Sequence, residues 1–145
     1  MDQTGVIILA HGSRGERGIV EVGEALRRVA NGIRPFLSPE VEIIGAALQF
    51  NNPDLEEAVR SLAELGVSRI LIMPYFLFSG KHITEHVPEL IKKFKVIYPD
   101  KQFIITNPLG SDEHFISHVV GRIEEAVPEL LPNTRFSPDS PMSIE

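Results

Sequence analysis

Five apolar residues, Val6-Ile7-Ile8-Leu9-Ala10, run together and stop at His11-Gly12. The run is far short of the ~20 residues a membrane span needs. It also lacks the polar alternation of a strand with one wet face. It therefore predicts a strand buried on both faces, the kind a parallel sheet uses. Parallel strands need long crossovers, usually helices, and open sheets of this type bind ligands at the carboxyl ends of their strands. His11 stands at such an end and is the first candidate functional residue.

The remainder of the chain follows the same alternation. Residues 5–10 form the first strand, and Ile19, Val22, Leu26, Val29, Ala30 and Ile33 then recur at helical spacing until Pro35. Residues 41–48 predict a second strand. Asn52-Pro53 is read as the start of the second helix, with Asn52 as the cap and Leu55, Ala58, Val59 and Leu62 facing inward before Gly66. A third strand begins at Arg69 and is expected to continue, extended, through residues 74–78. A loop over residues 79–82 and a third helix carrying Val87, Leu90, Ile91 and Phe94 come next. A fourth strand over residues 102–106 leads to a helix capped by Ser111 or Asp112, with Phe115, Ile116, Val119, Val120 and Ile123 on its inner face. The expected fold is α/β, flavodoxin-like: a four-stranded parallel sheet in the order 2-1-3-4 with helices on both faces and right-handed crossovers. Residues 1–131 are read as one domain and residues 132–145 as a Pro/Ser-rich tail.

Composition narrows the functional classes. The 145 residues include no cysteine, which excludes disulfides, thiolate metal sites and thiol nucleophiles. The net charge of -6 argues against nucleic acid as the main partner. The first hundred residues are nearly balanced in charge. The excess lies in the last third, at Asp112, Glu113, Glu124, Glu125, Glu129, Asp139 and Glu145 against Arg122 and Arg135. Arg14, Arg17 and Lys81 fall beside the first and third strand ends, where an anionic small molecule would meet them. The N-terminus lacks the basic stretch of a signal peptide, so a cytoplasmic protein is expected, with no membrane span and no organic cofactor.

Five histidines carry the remaining chemistry. His11 and His82 follow the first and third strands, which are neighbours in the expected order, about 4.8 Å apart. Two neutral imidazoles meeting there could bind a divalent metal, or one could accept a proton near neutral pH. Each taken alone is more often a surface or capping residue. His82-Ile83-Thr84-Glu85-His86 matches the H-x-x-E-H pattern of one zinc-protease class. Pro88 belongs in a first helical turn, so the helix is expected to start near Glu85, leaving His82 in the preceding loop. With no third ligand in view, the match is set aside; Glu85 and His86 stay as substrate candidates beside the reading of a solvated first turn. His114 and His118 are spaced i, i+4 and read first as surface polarity. Gly12, Gly15 and Gly18 do not match G-x-G-x-x-G, and Gly12 is better explained by a tight strand-to-helix turn. Ser13 has no visible triad partners.

Leu9-Ala10-His11-Gly12-Ser13-Arg14, then Pro74-Tyr75-Phe76-Leu77 with Gly80-x-His82 and Val87-Pro88, then Pro108-Leu109-Gly110, together resemble the small single-domain class II sirohydrochlorin chelatases. The resemblance covers about residues 5–127. It implies insertion of Co²⁺ or Fe²⁺ into sirohydrochlorin, for cobalamin or siroheme synthesis, with Ni²⁺ also used by some archaeal relatives. It implies that His11 and His82 are the metal-binding and catalytic histidines, and that a single-domain chain forms a homodimer. Ser13, Arg14, Gln49, Lys81, Glu85 and His86 are then candidates for substrate binding. Two positions depart from the family pattern. Gln49 stands where many relatives carry a glutamate, and His86 stands where they usually carry an aspartate. An amide at position 49 neither accepts a proton nor cancels charge. Two other readings stay open: a non-catalytic metal- or tetrapyrrole-binding protein on the same fold, and a phosphate-ester or nucleotide enzyme using the Gly12–Gly18 loop.

Overall fold

The computed structural model describes residues 3–78 and 80–130, giving the backbone alone at positions 82, 83, 111 and 130. Four strands, β1 (Thr4–Ala10), β2 (Glu42–Ala47), β3 (Arg69–Pro74) and β4 (Gln102–Ile105), form one parallel sheet in the order β2-β1-β3-β4. Four helices alternate with them: α1 (Glu16–Ile33), α2 (Leu55–Glu64), α3 (Val87–Ile97) and α4 (Glu113–Ala126). The apolar run that sets the expectation is the central strand. Ile7 and Leu9 are fully buried on one face, and Ile8 is 1% exposed on the other.

The two faces have separate cores. Ile7, Leu9, Ile70 and Ile72 pack with Leu55, Ala58, Val59 and Leu62 of α2 and with Val87, Ile91 and Phe94 of α3. On the opposite face Val6, Ile8 and Ala10 meet Leu26 of α1, flanked by Val22, Val29 and Ile33. Burying side chains such as these stabilises by roughly 1.5–3 kcal/mol each relative to exposure. The strand order and the periodicity of the first three helices agree with the sequence.

Four local expectations are corrected. First, α2 is capped by Asp54 and not by Asn52. The Asp54 carboxylate accepts from the Glu57 amide at 2.8 Å, and Glu57 returns a bond to the Asp54 amide at 3.0 Å. This reciprocal box satisfies two amides where a single Asn cap satisfies one, and the Asn52–Pro53 peptide before it is cis. Second, β3 ends at Pro74, and residues 75–78 turn away as a loop. The Tyr75 amide donates to the Leu9 carbonyl at 2.7 Å, which holds the start of that loop to β1. Third, His82 is not in a loop. His82–His86 is a π-helical turn running directly into α3. Pro88 lacks the N–H that would bond back to residue 84, and the wider π turn takes up that interruption without ending the helix. Fourth, none of the residues of α4 is buried, so its expected inner face is open. Asp112, one of the two expected caps, does start α4, its carboxylate accepting from the His114 amide at 3.0 Å. The 132–145 tail lies outside the described residues.

Candidate functional site

The carboxyl ends of β2, β1 and β3 lie side by side, and each releases a short loop. His11 leaves β1 half-buried, and its imidazole stacks on the ring of Phe76 with centroids 4.1 Å apart and planes at 29°. Phe76 itself is 8% exposed, so one face of the histidine is fixed by a core residue while the residue as a whole keeps contact with solvent. The Phe76 carbonyl accepts from the Leu109 amide at 3.2 Å, joining the loop after β4 to the same cluster.

The loop after β2 runs beside the histidine. The Leu48 amide donates to the Ala10 carbonyl at 2.9 Å, and the Gln49 amide to the His11 carbonyl at 3.2 Å. The pairing of β1 and β2 thus continues past the strands and carries position 49 next to position 11. Gly12, at φ 94°, crosses under this segment, and a Cβ there would overlap the Gln49 carbonyl oxygen. Only glycine meets both conditions. The following Phe50 also has positive φ, 67°, a conformation that costs a non-glycine residue about 1–3 kcal/mol. Its half-exposed ring lies under the Arg14 guanidinium, 5.2 Å from the ring centroid.

One residue with no assigned role in the sequence reading ties these loops together. Asn51 is buried, accepting from the Ser13 amide at 3.3 Å and donating to the Ile19 carbonyl at 2.8 Å. It therefore sets the spacing between the loop after β1, the loop after β2 and the first turns of α1. The signal was present only as an asparagine after a strand, which also fits a solvated turn. Phe76 was legible as an apolar residue and not as a platform for His11.

The other candidates spread around this crevice. Ser13 is half-buried, and its hydroxyl donates to the Arg14 carbonyl at 3.3 Å. Arg14, Gln49, Lys81, Glu85 and His86 are exposed. Arg17 pairs with Glu21 at 3.0 Å on the outer surface of α1. The backbone places His82 at the head of the π turn beyond β3, the strand hydrogen-bonded to β1. His82 and His86 lie in one continuous helical run, as the H-x-x-E-H pattern requires. Among the described residues, however, no group of three or more His, Asp or Glu side chains converges. His114 and His118 line an open groove on α4, far along the chain from the crevice, and His114 meets Asp112 at 3.3 Å. That contact, and more strongly the bond from the His114 backbone amide, hold the exposed Asp112 carboxyl below its ordinary pKa.

The loops after β2 and β3, the strands that flank β1, carry exposed apolar side chains. Phe78 is 79% exposed, and Phe50, Leu77 and Tyr75 are 46%, 45% and 39% exposed. Four large side chains in loops on either side of the strand that ends at His11 suit a flat ligand with apolar faces.

Comparison with known proteins agrees with this fold. The chain is 28% identical over 123 residues to the sirohydrochlorin cobaltochelatase of Sulfurisphaera tokodaii, covering 85% of this chain and 93% of that protein. It is likewise 28% identical to the sirohydrochlorin cobaltochelatase of Methanosarcina acetivorans over 133 residues, covering 87% and 98%. Among solved structures, SirB from Bacillus subtilis with Fe³⁺ superposes with a TM-score of 0.74 at 22% identity, covering 88% of this chain and 48% of SirB. The model of the CbiX family matches residues 5–126, which include every element described here from the body of β1 to the end of α4, and the chain belongs to the CbiX family.

Proposed function

We propose that this protein is a sirohydrochlorin chelatase that inserts a divalent metal, Co²⁺ or Fe²⁺, into the tetrapyrrole, and that it works as a homodimer. The observation that carries the reading is the placement of His11: at the carboxyl end of the central strand, braced by Phe76, inside a family match whose relatives are named for this reaction. Both metals are substrates of this reaction and not resident cofactors.

The chemistry asks three things of the site. Two pyrrole N–H protons must leave as the cation enters. A histidine can accept one of these protons, or hold the metal while neutral, according to its charge state. His11 has the position for either task, and His82 is assigned the complementary one. The macrocycle needs apolar support, which Phe50, Leu77 and Phe78 supply at the rim. Its carboxylates need cations, for which Arg14 and Lys81 are assigned. Ser13, Glu85 and His86 complete the proposed substrate contacts. Gln49 is the point of departure: its backbone is bonded to His11, so an acid there would stand beside the histidine, and the amide leaves proton removal to the imidazoles.

The test is metallation of sirohydrochlorin followed by absorbance, with Co²⁺, Fe²⁺ and Ni²⁺ in parallel. Turnover above the uncatalysed rate with cobalt or iron is expected. A rate equal to background with all three metals, while tetrapyrrole still binds, would convert the reading to a non-catalytic binding protein.

A further inference from the structure

Phe50 holds a conformation that suits it poorly. Its φ of 67° lies in the left-handed region, which a non-glycine residue enters only at a cost. Its ring is 46% exposed, so burial offsets little of that cost. Glycine would hold the same turn freely. Strain of this kind collects where a side chain has to be presented to a ligand.

The neighbours on either side enforce the turn. The Gln49 amide is bonded to the His11 carbonyl, and the buried Asn51 side chain is bonded to the Ser13 amide and the Ile19 carbonyl. Phe50 is the tip between these two anchored residues. Asn51 also pins Ser13, the residue before Arg14. Both sides of the contact between the Arg14 guanidinium and the Phe50 ring are thus fixed by the same buried asparagine.

Arg14 and Arg17 differ in what holds them. Arg17 pairs with Glu21 at 3.0 Å, which engages its Nε. Among the described residues Arg14 meets no carboxylate. A ring face attracts the charge of a guanidinium and leaves its in-plane N–H groups free. Those donors match a carboxylate, and two parallel bonds to one carboxylate fix direction as well as position.

We infer that Phe50 is a positioning residue for the substrate: its strained turn brings the ring under Arg14 and holds the guanidinium beyond the end of β1, where it takes one carboxylate of the tetrapyrrole in a forked pair. This deepens the role that the proposed function gives Arg14. It rests on the substrate of that reading and not on its metal chemistry.

Metal-free binding of sirohydrochlorin, followed by the change in its own fluorescence, tests this. Arg14→Gln is expected to raise Kd about tenfold or more, the effect of losing a charged hydrogen-bond partner. Phe50→Leu should raise it about two- to fivefold, the effect of losing an exposed cation–π contact. Leucine keeps the apolar bulk and removes the face; Phe50→Tyr keeps the face and should bind as the wild type does. Added to Arg14→Gln, Phe50→Leu should weaken binding no further, because the ring has no guanidinium left to hold. A Phe50→Leu variant that binds like wild type, or one that adds its full effect to that of Arg14→Gln, overturns the inference and leaves the side chain as apolar support alone. Phe50→Gly relaxes the backbone and should bind no better than Phe50→Leu; restored binding would show that the ring is not what matters. Arg27→Gln removes a charge from an exposed position further along α1 and should leave Kd within about twofold. A rise equal to that of Arg14→Gln would mean that net charge alone is read, and the inference fails. A wild type that binds no sirohydrochlorin removes the proposed function itself, whereas normal binding and turnover with a silent Phe50→Leu remove this inference alone.

Discussion

His11 and Phe76 stack across the boundary between two strands, with their ring centroids 4.1 Å apart. One belongs to the end of β1 and the other to the loop after β3, so the contact forms only when these strands are paired. Replacing Phe76 by Leu keeps an apolar side chain in the core and removes the flat face. The expected outcome is a stability loss below about 1.5 kcal/mol together with a larger relative fall in kcat for metallation. Thermal melts and turnover measured on the same preparation check this. A proportionate loss in both would show that the ring serves packing alone.

His11→Ala and His82→Ala should each lower metallation by ~100-fold or more, the usual cost of losing a general base or ligand. His114→Ala, on α4, should leave the rate within about twofold. Full activity in both of the first two variants would remove the proposed mechanism.

Gly12→Ala places a methyl group against the Gln49 carbonyl at a φ of 94°. The strain alone is about 1–3 kcal/mol, and relief requires moving the segment that lies beside His11. A fall in Tm of at least ~2 °C is expected, at 2–4 °C per kcal/mol for a domain near this size. An unchanged melt would mean that the turn relaxes freely.

Asn51 accepts and donates at once, from Ser13 to Ile19. Asn51→Asp keeps the acceptor but loses the donor, leaving a carboxylate facing the Ile19 carbonyl. A buried group without its partner costs about 1–3 kcal/mol, and more when charged. Asn51→Asp should therefore be less stable than Asn51→Ala by urea titration at neutral pH, and the two should converge as the acid is protonated.

The Asp112 carboxyl titrates below its ordinary value because the His114 amide bonds its charged form. A folded-state value below the unfolded one gives stability that is complete above the unfolded value. That stability is lost as pH falls through the folded one. The first turn of α4 should fray in that acidic window, seen as a falling protection of the His114 amide once its exchange is divided by the intrinsic rate at each pH. Asp112→Ala should remove the pH dependence of that protection.

The strand order, the central position of the first apolar run and the inward faces of α2 and α3 were legible because each rests on a period that burial enforces. The end of β3 was not. Residues 75–78 are as apolar as the strand before them, and only the exposure of Leu77 and Phe78 separates rim from core. Asn52 and Asp54 both satisfy the pattern of a cap; the reciprocal bond with Glu57 decides between them, and that pairing is visible in sequence only once the helix start is known. The π turn was hidden by Pro88, which ordinarily marks a first turn. For the site, His11 could be placed from the strand that precedes it. Asn51 could not, because its partners are thirty or more positions away.

The central place of β1 has a bearing on how the protein is made. His11 emerges from the ribosome some seventy residues before the segment containing His82, and the two strand ends become neighbours only when β3 docks against β1. Until then the chain offers isolated imidazoles and no thiol. On the proposed reading, the two histidines assigned to the metal can act together only after that docking, so a nascent copy still lacks the assembled site.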